Sequence, residues 1–283
     1  MTTSHVSPTR RIVSAAWRIA VAMLALGVGL VVLVAILPAE PDPSDPGTLA
    51  TRISGGIALT GLALSLITVL VSQAGQKSLR DAGLQDAGLG DARDGWRLAL
   101  WGALLWLVPS AATFAVLALV GASISVTVPA PELAQTVVLL LLAVLLAEAI
   151  PEELVFRGYI TTVLGSVTRG WWVITIQAVL FALFAGALRQ HWDPMDLSLF
   201  LAMGIGFGYL RMITGSVWMA VGFHTAFQTG SQLILTHDSV EFAGGQVAGM
   251  LALGAIPFAV ASVVVSSTGI PRFVRPLRRP HGG

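Results

Sequence analysis

The sequence predicts an all-α protein, a polytopic bundle of about eight transmembrane helices. Hydrophobic residues make up 55% of the 283 residues and charged residues only 11%, and the mean hydropathy of +0.82 is too high for a water-soluble globule. Apolar runs of about 20 residues, the length of a membrane span, recur along the chain. Cysteine is absent, which excludes disulfides, thiolate metal sites and cysteine nucleophiles. The net charge of +1 lacks the basic surplus that nucleic-acid binding requires.

The first span is predicted between the polar residues 1–12 and Pro38. A signal peptide is the alternative, but its apolar core would hold only about 7 to 15 residues, so an uncleaved span is favoured. The sixth span is short and glycine-rich (MGIGFGYL), which predicts close helix packing or a tilted, partly re-entrant segment. By the same length criterion, the spans after the first lie near residues 53–71, 98–120, 132–157, 170–189, 197–210, 216–234 and 243–267.

Basic residues are distributed unequally between alternate loops. One set holds only Arg52 and Arg189, while Arg18 lies inside the first span. Because Lys and Arg are retained on the cytoplasmic side, the bias predicts an even number of spans and cytoplasmic termini, in an integral protein of the bacterial plasma membrane. The other set holds thirteen residues: Arg10, Arg11, Lys77, Arg80, Arg93, Arg97, Arg157, Arg169, Arg211, Arg272, Arg275, Arg278 and Arg279.

Two polar segments are assigned to the cytoplasmic side. Residues 75–96 contain the imperfect repeat DAGL and form either a solvated loop, which is favoured, or a short amphipathic helix on the membrane surface. The helical alternative is weakened by Gly83, Gly88, Gly90 and Gly95. The C-terminal tail has four arginines, which predicts contact with anionic lipid headgroups.

Three carboxylates, Glu148, Glu152 and Glu153, lie in AEAIPEELVFRGY at the end of the fourth apolar run. A charge inside an apolar span costs at least about 2.5 kcal/mol at the helix centre, so such residues usually face a cavity and have a function. Glu153 and Arg157 have the i,i+4 spacing of a salt bridge. Glu152 lacks such a partner, and Glu148 lies one turn earlier on its face. Neighbouring carboxylates in a site of low polarity favour proton uptake by one of them, as a general base requires; simple solvation at the helix end is the alternative.

The seventh span contains His224, followed at i+4 by Gln228 on the same helix face. At about 1.5 Å per residue, His224 lies about 12 Å from the cytoplasmic end of its span, and Glu152 and Glu153 about 6 to 8 Å from the end of theirs. The groups can therefore meet in a wet cavity, where they could activate water and stabilise an oxyanion. A histidine that only packs and hydrogen-bonds to a neighbouring helix is the alternative.

The segments PEELVFRGYI and RMITGSVWMAVGFHTAFQ, in this order and separated by an apolar helix, resemble the CPBP family of CAAX proteases and bacteriocin-processing enzymes, also called the ABI family. The resemblance covers about residues 130–234. It implies an intramembrane endopeptidase that cleaves a membrane-associated protein or peptide near the cytoplasmic face. Carried over by motif, Glu152 is the base that activates water, Glu153 and Arg157 support it, and His224 and Gln228 complete the catalytic set.

Two positions depart from the family pattern. The histidine of the FxxxH motif falls on Ala185 in FALFA, and Gln228 stands where Asn or Asp is usual. Loss of one oxyanion donor would slow hydrolysis by about 10² to 10³-fold. His191 is a nearby replacement in the sequence, but a depth of about 30 Å makes it an outer-loop residue. Gln177, about 10 Å deep, could donate a hydrogen bond into the cavity, although hydrogen bonding between helices is favoured.

The resemblance also implies a domain organisation. Residues 1–12 form an N-terminal tail, residues 13–125 the N-terminal transmembrane helices with loop 75–96, residues 130–267 the protease-like domain and residues 268–283 the basic tail. The expected partners are a membrane-associated substrate and the lipid bilayer. No cofactor or metal is predicted, because spacings typical of catalytic zinc, such as HExxH, are missing from the sequence.

Two other function classes compete with the protease. A catalytically lapsed family member that binds membrane peptides or partner proteins is suggested by Ala185. A transporter or channel is suggested by buried carboxylates and histidine, which also mark proton paths. The sequence shows little sign of the inverted repeats or paired broken helices that would support a transporter.

Overall fold

The computed structural model describes residues 7–38, 44–73, 92–269 and 271, which form eight helices and a two-stranded sheet. Most of the predicted loop 75–96, with its DAGL repeat, and most of the basic C-terminal tail lie outside these residues. The helices are α1 (Pro8–Ala35), α2 (Pro46–Gln73), α3 (Ala92–Leu119), α4 (Ala130–Gly165), α5 (Trp171–Arg189), α6 (Pro194–Thr214), α7 (Trp218–Leu235) and α8 (Gly245–Thr268), and the strands are β1 (Ile124–Val126) and β2 (Val240–Phe242).

This architecture confirms the predicted helical bundle of about eight spans. Seven helices of the described chain are long and apolar enough to cross a membrane, and the chain is an integral membrane protein. The remaining helix, α7, has 18 residues and carries the polar side chains His224, Gln228 and Gln232. The sixth span is a full helix of 21 residues, so its predicted close packing is observed and a re-entrant course is not.

Capping residues and prolines mark where helices begin. Asp45 precedes Pro46 of α2, and its Oδ2 accepts a hydrogen bond from Thr48 N at 2.7 Å. This bond lowers the pKa of Asp45, since it stabilises the ionised carboxylate. Asp193 precedes Pro194 of α6 in the same way and accepts from two backbone amides of the first turn. Both arrangements satisfy amides that have no partner within the helix.

The two strands, which the sequence analysis did not predict, show how the helices are directed. β1 and β2 pair antiparallel, with Ser125 opposite Glu241. Because β1 follows α3 and β2 follows α7, the carboxyl ends of these helices lie at one end of the bundle, here called the strand end. Residues early in α3 meet residues early in α7, as in the close approach of Gly95 to Trp218. The helices α3 and α7 are therefore parallel neighbours.

Glycines allow α3 and α7 to approach closely. A Cβ placed on Gly222 of α7 would overlap the backbone carbonyl of Ala99, and one on Gly102 of α3 would overlap the carbonyl of Met219. Backbone atoms cannot move aside as a flexible side chain can. Small residues at such contacts are typical of membrane helix pairs, which gain stability from close packing. This contact places the polar face of α7 relative to the rest of the bundle.

The glycine-rich stretch of α6 packs against α5 in a comparable way. A Cβ on Gly204 would lie 2.7 Å from Ala178 Cα, and a Cβ on Gly208 would lie 2.8 Å from Gln177 Oε1. The glycines thus face α5, while Phe207 between them is buried against other helices. The sequence MGIGFGYL therefore encodes a contact surface on a continuous helix.

A matched pair of glycine variants tests the α3 and α7 contact. Alanine favours a helix over glycine by about 1 kcal/mol, so Gly61→Ala, at an exposed position of α2 with open space around it, should leave stability unchanged or raise it. Gly222→Ala should lower it by about 1 to 3 kcal/mol through overpacking. Thermal unfolding of the purified protein in detergent measures both. A Gly222→Ala protein as stable as Gly61→Ala would contradict the packing.

Candidate active site

The carboxylates predicted to be functional lie where α4 departs from regular α-helix. Residues Leu145–Ala149 and Leu154–Ile160 are π-helical, and Ile150–Glu153 between them forms a single α turn. Pro151 gives a local cause for the first π segment, because proline donates no hydrogen bond and clashes with the carbonyl four residues earlier. In α8 the π segment Leu251–Ala255 likewise ends in alanine and is followed by Ile-Pro. Such π turns occur frequently at functional sites.

Side chains bind carbonyl groups of both π segments. Thr60 of α2 donates to Leu146 O at 2.9 Å, and Thr161 donates to Phe156 O at 2.9 Å. Arg211 of α6 donates from Nε to Arg157 O at 3.1 Å. Buried carbonyls require partners, since an unsatisfied one costs free energy. The irregular part of α4 is thus stabilised by neighbouring helices as well as by its own residues.

A buried carboxylate joins the two motifs identified in the sequence. Glu153 Oε1 lies 3.0 Å from Arg157 Nη1 and 2.9 Å from His224 Nδ1, and none of the three side chains is more than 1% exposed. The predicted i,i+4 ion pair is present. An ionised carboxylate only accepts hydrogen bonds, so Nδ1–H of His224 donates to Glu153. This contact fixes the orientation of the imidazole ring and directs Nε2 away from Glu153.

Aromatic rings enclose the charged groups of this site. The Arg157 guanidinium lies 4.3 Å from the ring centroid of Phe181 and 5.1 Å from that of Phe207. Phe207 also stacks on His224, with centroids 5.2 Å apart. Cation–π contacts stabilise a guanidinium that has left water. Phe181, the first residue of the FALFA segment, therefore forms part of the wall around Arg157.

Glu152 differs from Glu153 in its surroundings. It is partly exposed, and no other residue of the described chain hydrogen-bonds to it. The side chains of His224, Glu148, Glu153 and Arg157 are close enough for their charges to act on Glu152. The structure therefore brings the predicted base and the predicted histidine together. The carboxylate of Glu152 remains available for a substrate or water.

Gln228 lies on the same face of α7 as His224 and Gln232, at the i+4 position between them. His224 contacts Glu153 of α4 and Gln232 contacts Glu148 of α4, so this face is directed towards α4. Gln228 is partly buried, and its side chain makes no hydrogen bond within the part of the chain that the structure describes. Along α7 it lies between His224, which contacts Glu153, and Gln232, which contacts Glu148.

A second polar cluster, which the sequence analysis missed, lies closer to the strand end. Arg52 of α2 approaches Glu148 Oε1 at 2.6 Å and donates to Gln232 Oε1 at 3.0 Å. Gln232 Nε2 donates to Glu148 at 3.0 Å. The Glu148 side chain is 22% exposed and that of Arg52 14%. The sequence places Glu148 one turn from Glu152, but in the structure its principal contacts are with α2 and α7. Arg52 and Gln232 are too far from it in sequence for any local spacing to reveal them.

Ala185 occupies the level of Glu153 within the bundle. The ring of Phe181 covers Arg157. Ala185 lies one turn from Phe181 towards the strand end. Glu153 lies one turn from Arg157 in the same direction. Gln177 is one turn on the other side of Phe181, away from Glu153. It is fully buried, and neither of its amide atoms has a hydrogen-bond partner among the described residues. The favoured hydrogen bond between helices is therefore not observed for Gln177.

Two further sequence predictions concern the position of His191 and the end of the helix that carries Glu152 and Glu153. His191 lies in the short loop after α5, its side chain is 61% exposed, and it contacts Asp196 at 3.4 Å, which agrees with a loop position. The helix α4 continues to Gly165, beyond the predicted end of the span near residue 157, so Glu152 and Glu153 lie farther from its carboxyl end than predicted. Counted from Gly165, Glu153 is about 18 Å deep.

A cleft lies away from the site residues. A cleft of about 580 Å³ lies at the strand end, lined by Ser125, by residues 234–238 and by residues 240–243. It contains none of the predicted catalytic side chains, and it is shallow and open to the surroundings. The buried contacts of Glu153 and His224 are a better guide to chemistry than the size of this cleft. Among the described residues, no group of three or more His, Asp or Glu side chains is arranged to hold a metal ion.

Comparison with known families gives a match to part of the chain. A family model described as Type II CAAX prenyl endopeptidase Rce1-like matches residues 134–230. The matched segment contains Glu148, Glu152, Glu153, Arg157, Ala185, His224 and Gln228 and therefore the whole of the candidate site. Comparisons with curated proteins and with solved structures gave no significant match. The match at residues 134–230 thus agrees with the resemblance to the CPBP family that the two sequence motifs predicted.

Proposed function

We propose that this protein is an intramembrane endopeptidase that hydrolyses a peptide bond in a membrane-associated protein or peptide. The observation that carries the proposal is the buried contact of Glu153 with both Arg157 and His224, next to the accessible carboxylate of Glu152. A buried ion pair is costly unless it is well paired. Its presence beside a histidine and a second carboxylate is more typical of a catalytic site than of a helix contact.

In the proposed reaction Glu152 is the general base. Its carboxylate takes a proton from water as the water oxygen attacks the carbonyl carbon of the substrate. The carbon–nitrogen bond then breaks, and the departing nitrogen receives that proton. His224 Nε2, a buried atom without a hydrogen-bond partner in the described chain, is oriented by the Nδ1 contact to Glu153. Protonated His224 would donate from Nε2 to the oxyanion, and Gln228 would supply a further donor.

Glu153 and Arg157 have a supporting role in this proposal. Glu153 Oε1 holds His224 in one orientation, and Arg157 compensates the charge of Glu153 inside the bundle. Preorganised groups of this kind lower the reorganisation needed when charge develops in a transition state. The aromatic rings of Phe181 and Phe207 exclude water from the Arg157 side. The mechanism uses only these side chains and a water molecule.

The distribution of arginines supports a location of the site towards the cytoplasmic side. Arg157 and Arg211 belong to the basic set of the sequence and are joined in the structure by the bond between Arg211 Nε and Arg157 O. His224 lies only about 9 Å along α7 from Trp218. The strand end, where α2 begins and α7 ends, would then face the opposite side of the membrane.

The name of the matched family suggests a reporter for the activity. A fluorogenic peptide that ends in a farnesylated CAAX sequence, hereafter the reporter peptide, would be incorporated into liposomes with the purified full chain. Cleavage, with the position of the broken bond identified by mass spectrometry, would support the proposal. Absence of cleavage of this peptide and of a set of other membrane peptides would contradict it.

Ala185 favours a second candidate function, a catalytically lapsed relative that binds membrane peptides or partner proteins. The methyl group of Ala185 lies at the level of Glu153, where the family carries a histidine, and cannot donate a hydrogen bond. Binding in the site would survive this change while cleavage would be slow. The two functions differ in whether the reporter peptide is hydrolysed or only retained.

Restoring the family histidine separates the two functions. Ala185→His should raise kcat for the reporter peptide by about 10² to 10³-fold, because it supplies an oxyanion donor. Ala187→His, at an exposed position of the same helix, is the matched control and should have no effect. Thermal unfolding would verify that each variant is folded. A folded Ala185→His protein without a gain would show that this position does not reach the reacting groups.

A further inference from the structure

The helix α6 presents three buried residues to Arg157 from one face, at positions four apart. Met203 O accepts a hydrogen bond from Arg157 Nη2 at 3.4 Å, Phe207 lies against the guanidinium at 5.1 Å, and Arg211 Nε donates to Arg157 O at 3.1 Å. The first contact is made by Nη2 of Arg157, the second by the face of its guanidinium and the third by its backbone carbonyl. One helix face thus determines where Arg157 lies.

The contact made by Arg211 is unusual for a helical carbonyl. Arg157 O belongs to the π segment Leu154–Ile160, whose irregular geometry changes the normal pairing of carbonyl and amide groups. Arg211 itself is largely buried, and placing a guanidinium there is costly unless it makes specific contacts. Arg211 follows Phe207 by four residues and therefore lies on the same face of α6. The residue that binds Arg157 O is thus on the same face as the ring that packs against both Arg157 and His224.

We infer that Arg211 is a positioning residue for the site, acting through Arg157 on Glu153 and His224. This inference rests on the proposed function. Arg211 holds the π segment at the height where Arg157 Nη1 meets Glu153 Oε1, and Glu153 in turn orients His224. In this inference Arg211 acts on the reacting groups through its bond to Arg157 O. Its loss would misplace them while the substrate contacts remain.

Kinetics of the reporter peptide test this role. Arg211→Met should lower kcat by about 10²-fold, the loss expected when catalytic groups move by about 1 Å, with KM within about twofold of the wild type. Arg211→Lys should recover part of the loss, because an ammonium group can donate to the same carbonyl. Arg189→Met is the matched control, since Arg189 contacts the ring of Phe200 at 4.8 Å outside the site and should be dispensable. An unchanged kcat for Arg211→Met, or an equal loss for Arg189→Met, would overturn the inference.

A second measurement needs no substrate and separates failure of this inference from failure of the proposed function. Thermal unfolding in detergent would be compared for Arg211→Met, Arg157→Met and the double variant. If Arg211 acts through Arg157, the double variant should lose less than the sum of the two single losses, by about 2 °C or more in Tm. The control pair Arg189→Met and Arg157→Met should be additive. If the wild type cleaves no substrate, the proposed function fails, and this cycle alone decides the inference: additivity for Arg211 would overturn it.

Discussion

Replacing Glu152 by glutamine is expected to lower cleavage of the reporter peptide by about 10² to 10⁴-fold, the contribution typical of a general base. Glutamine has nearly the same shape but cannot accept the water proton. Because Glu152 is partly exposed and makes no hydrogen bond within the described chain, the substitution should change thermal stability little. The measurement is kcat in liposomes together with Tm in detergent. A selective loss of kcat would identify Glu152 as part of the chemistry.

The control for this variant is Glu132→Gln. Glu132 lies in the first turn of the same helix, is exposed and is remote from the site. Its substitution should leave both kcat and Tm unchanged. Equal cleavage by the wild type and Glu152→Gln would rule out Glu152 as the base. His224 Nε2 would then be the alternative acceptor, since it is the other group free to take a proton in this site.

Replacing Glu153 by glutamine should instead destabilise the protein, by about 3 to 5 kcal/mol. The amide of glutamine can still accept from His224 and Arg157, but the guanidinium of Arg157 would be left as an uncompensated buried charge. Both members of the pair are fully buried, so solvent does not screen the loss. Combining the change with Arg157→Met should restore much of the stability, because a buried ion pair can often be replaced by apolar groups at little cost. Thermal unfolding of the two single variants and the double variant measures this.

An exposed ion pair serves as the control for the buried one. His191 and Asp196 are about half exposed or more and lie 3.4 Å apart. Exposed pairs contribute about 0 to 1 kcal/mol, so Asp196→Asn should change Tm little. If Glu153→Gln were as stable as Asp196→Asn, the pair with Arg157 would not be a buried charge pair. If the double variant were no more stable than Glu153→Gln, the loss would come from a contact other than the charge of Arg157.

The sequence by itself determined the helical class, a bundle of about eight spans and one contact of the site. Membrane spans are predictable from composition because a backbone in lipid must satisfy its hydrogen bonds internally, which a helix of about 20 apolar residues does. The Glu153 and Arg157 pair is predictable for a similar reason, since i,i+4 spacing places the two side chains together on any helix. The two motifs also predicted the resemblance to the family whose model matches residues 134–230.

The tertiary structure alone decided which carboxylate holds His224 and what surrounds it. His224 is 71 residues from Glu153, and Gln232 is 84 residues from Glu148, so these contacts depend on how α4, α7 and α2 pack. The packing follows from glycines such as Gly222, whose close approach to α3 cannot be read from span lengths. The extension of α4 to Gly165 and its π segments, which leave Arg157 O to accept a hydrogen bond from Arg211, likewise could not be read from the sequence. Local spacing predicts contacts within one helix, whereas the separate environments of Glu152 and Glu153 arise only when neighbouring helices cover one and leave the other accessible.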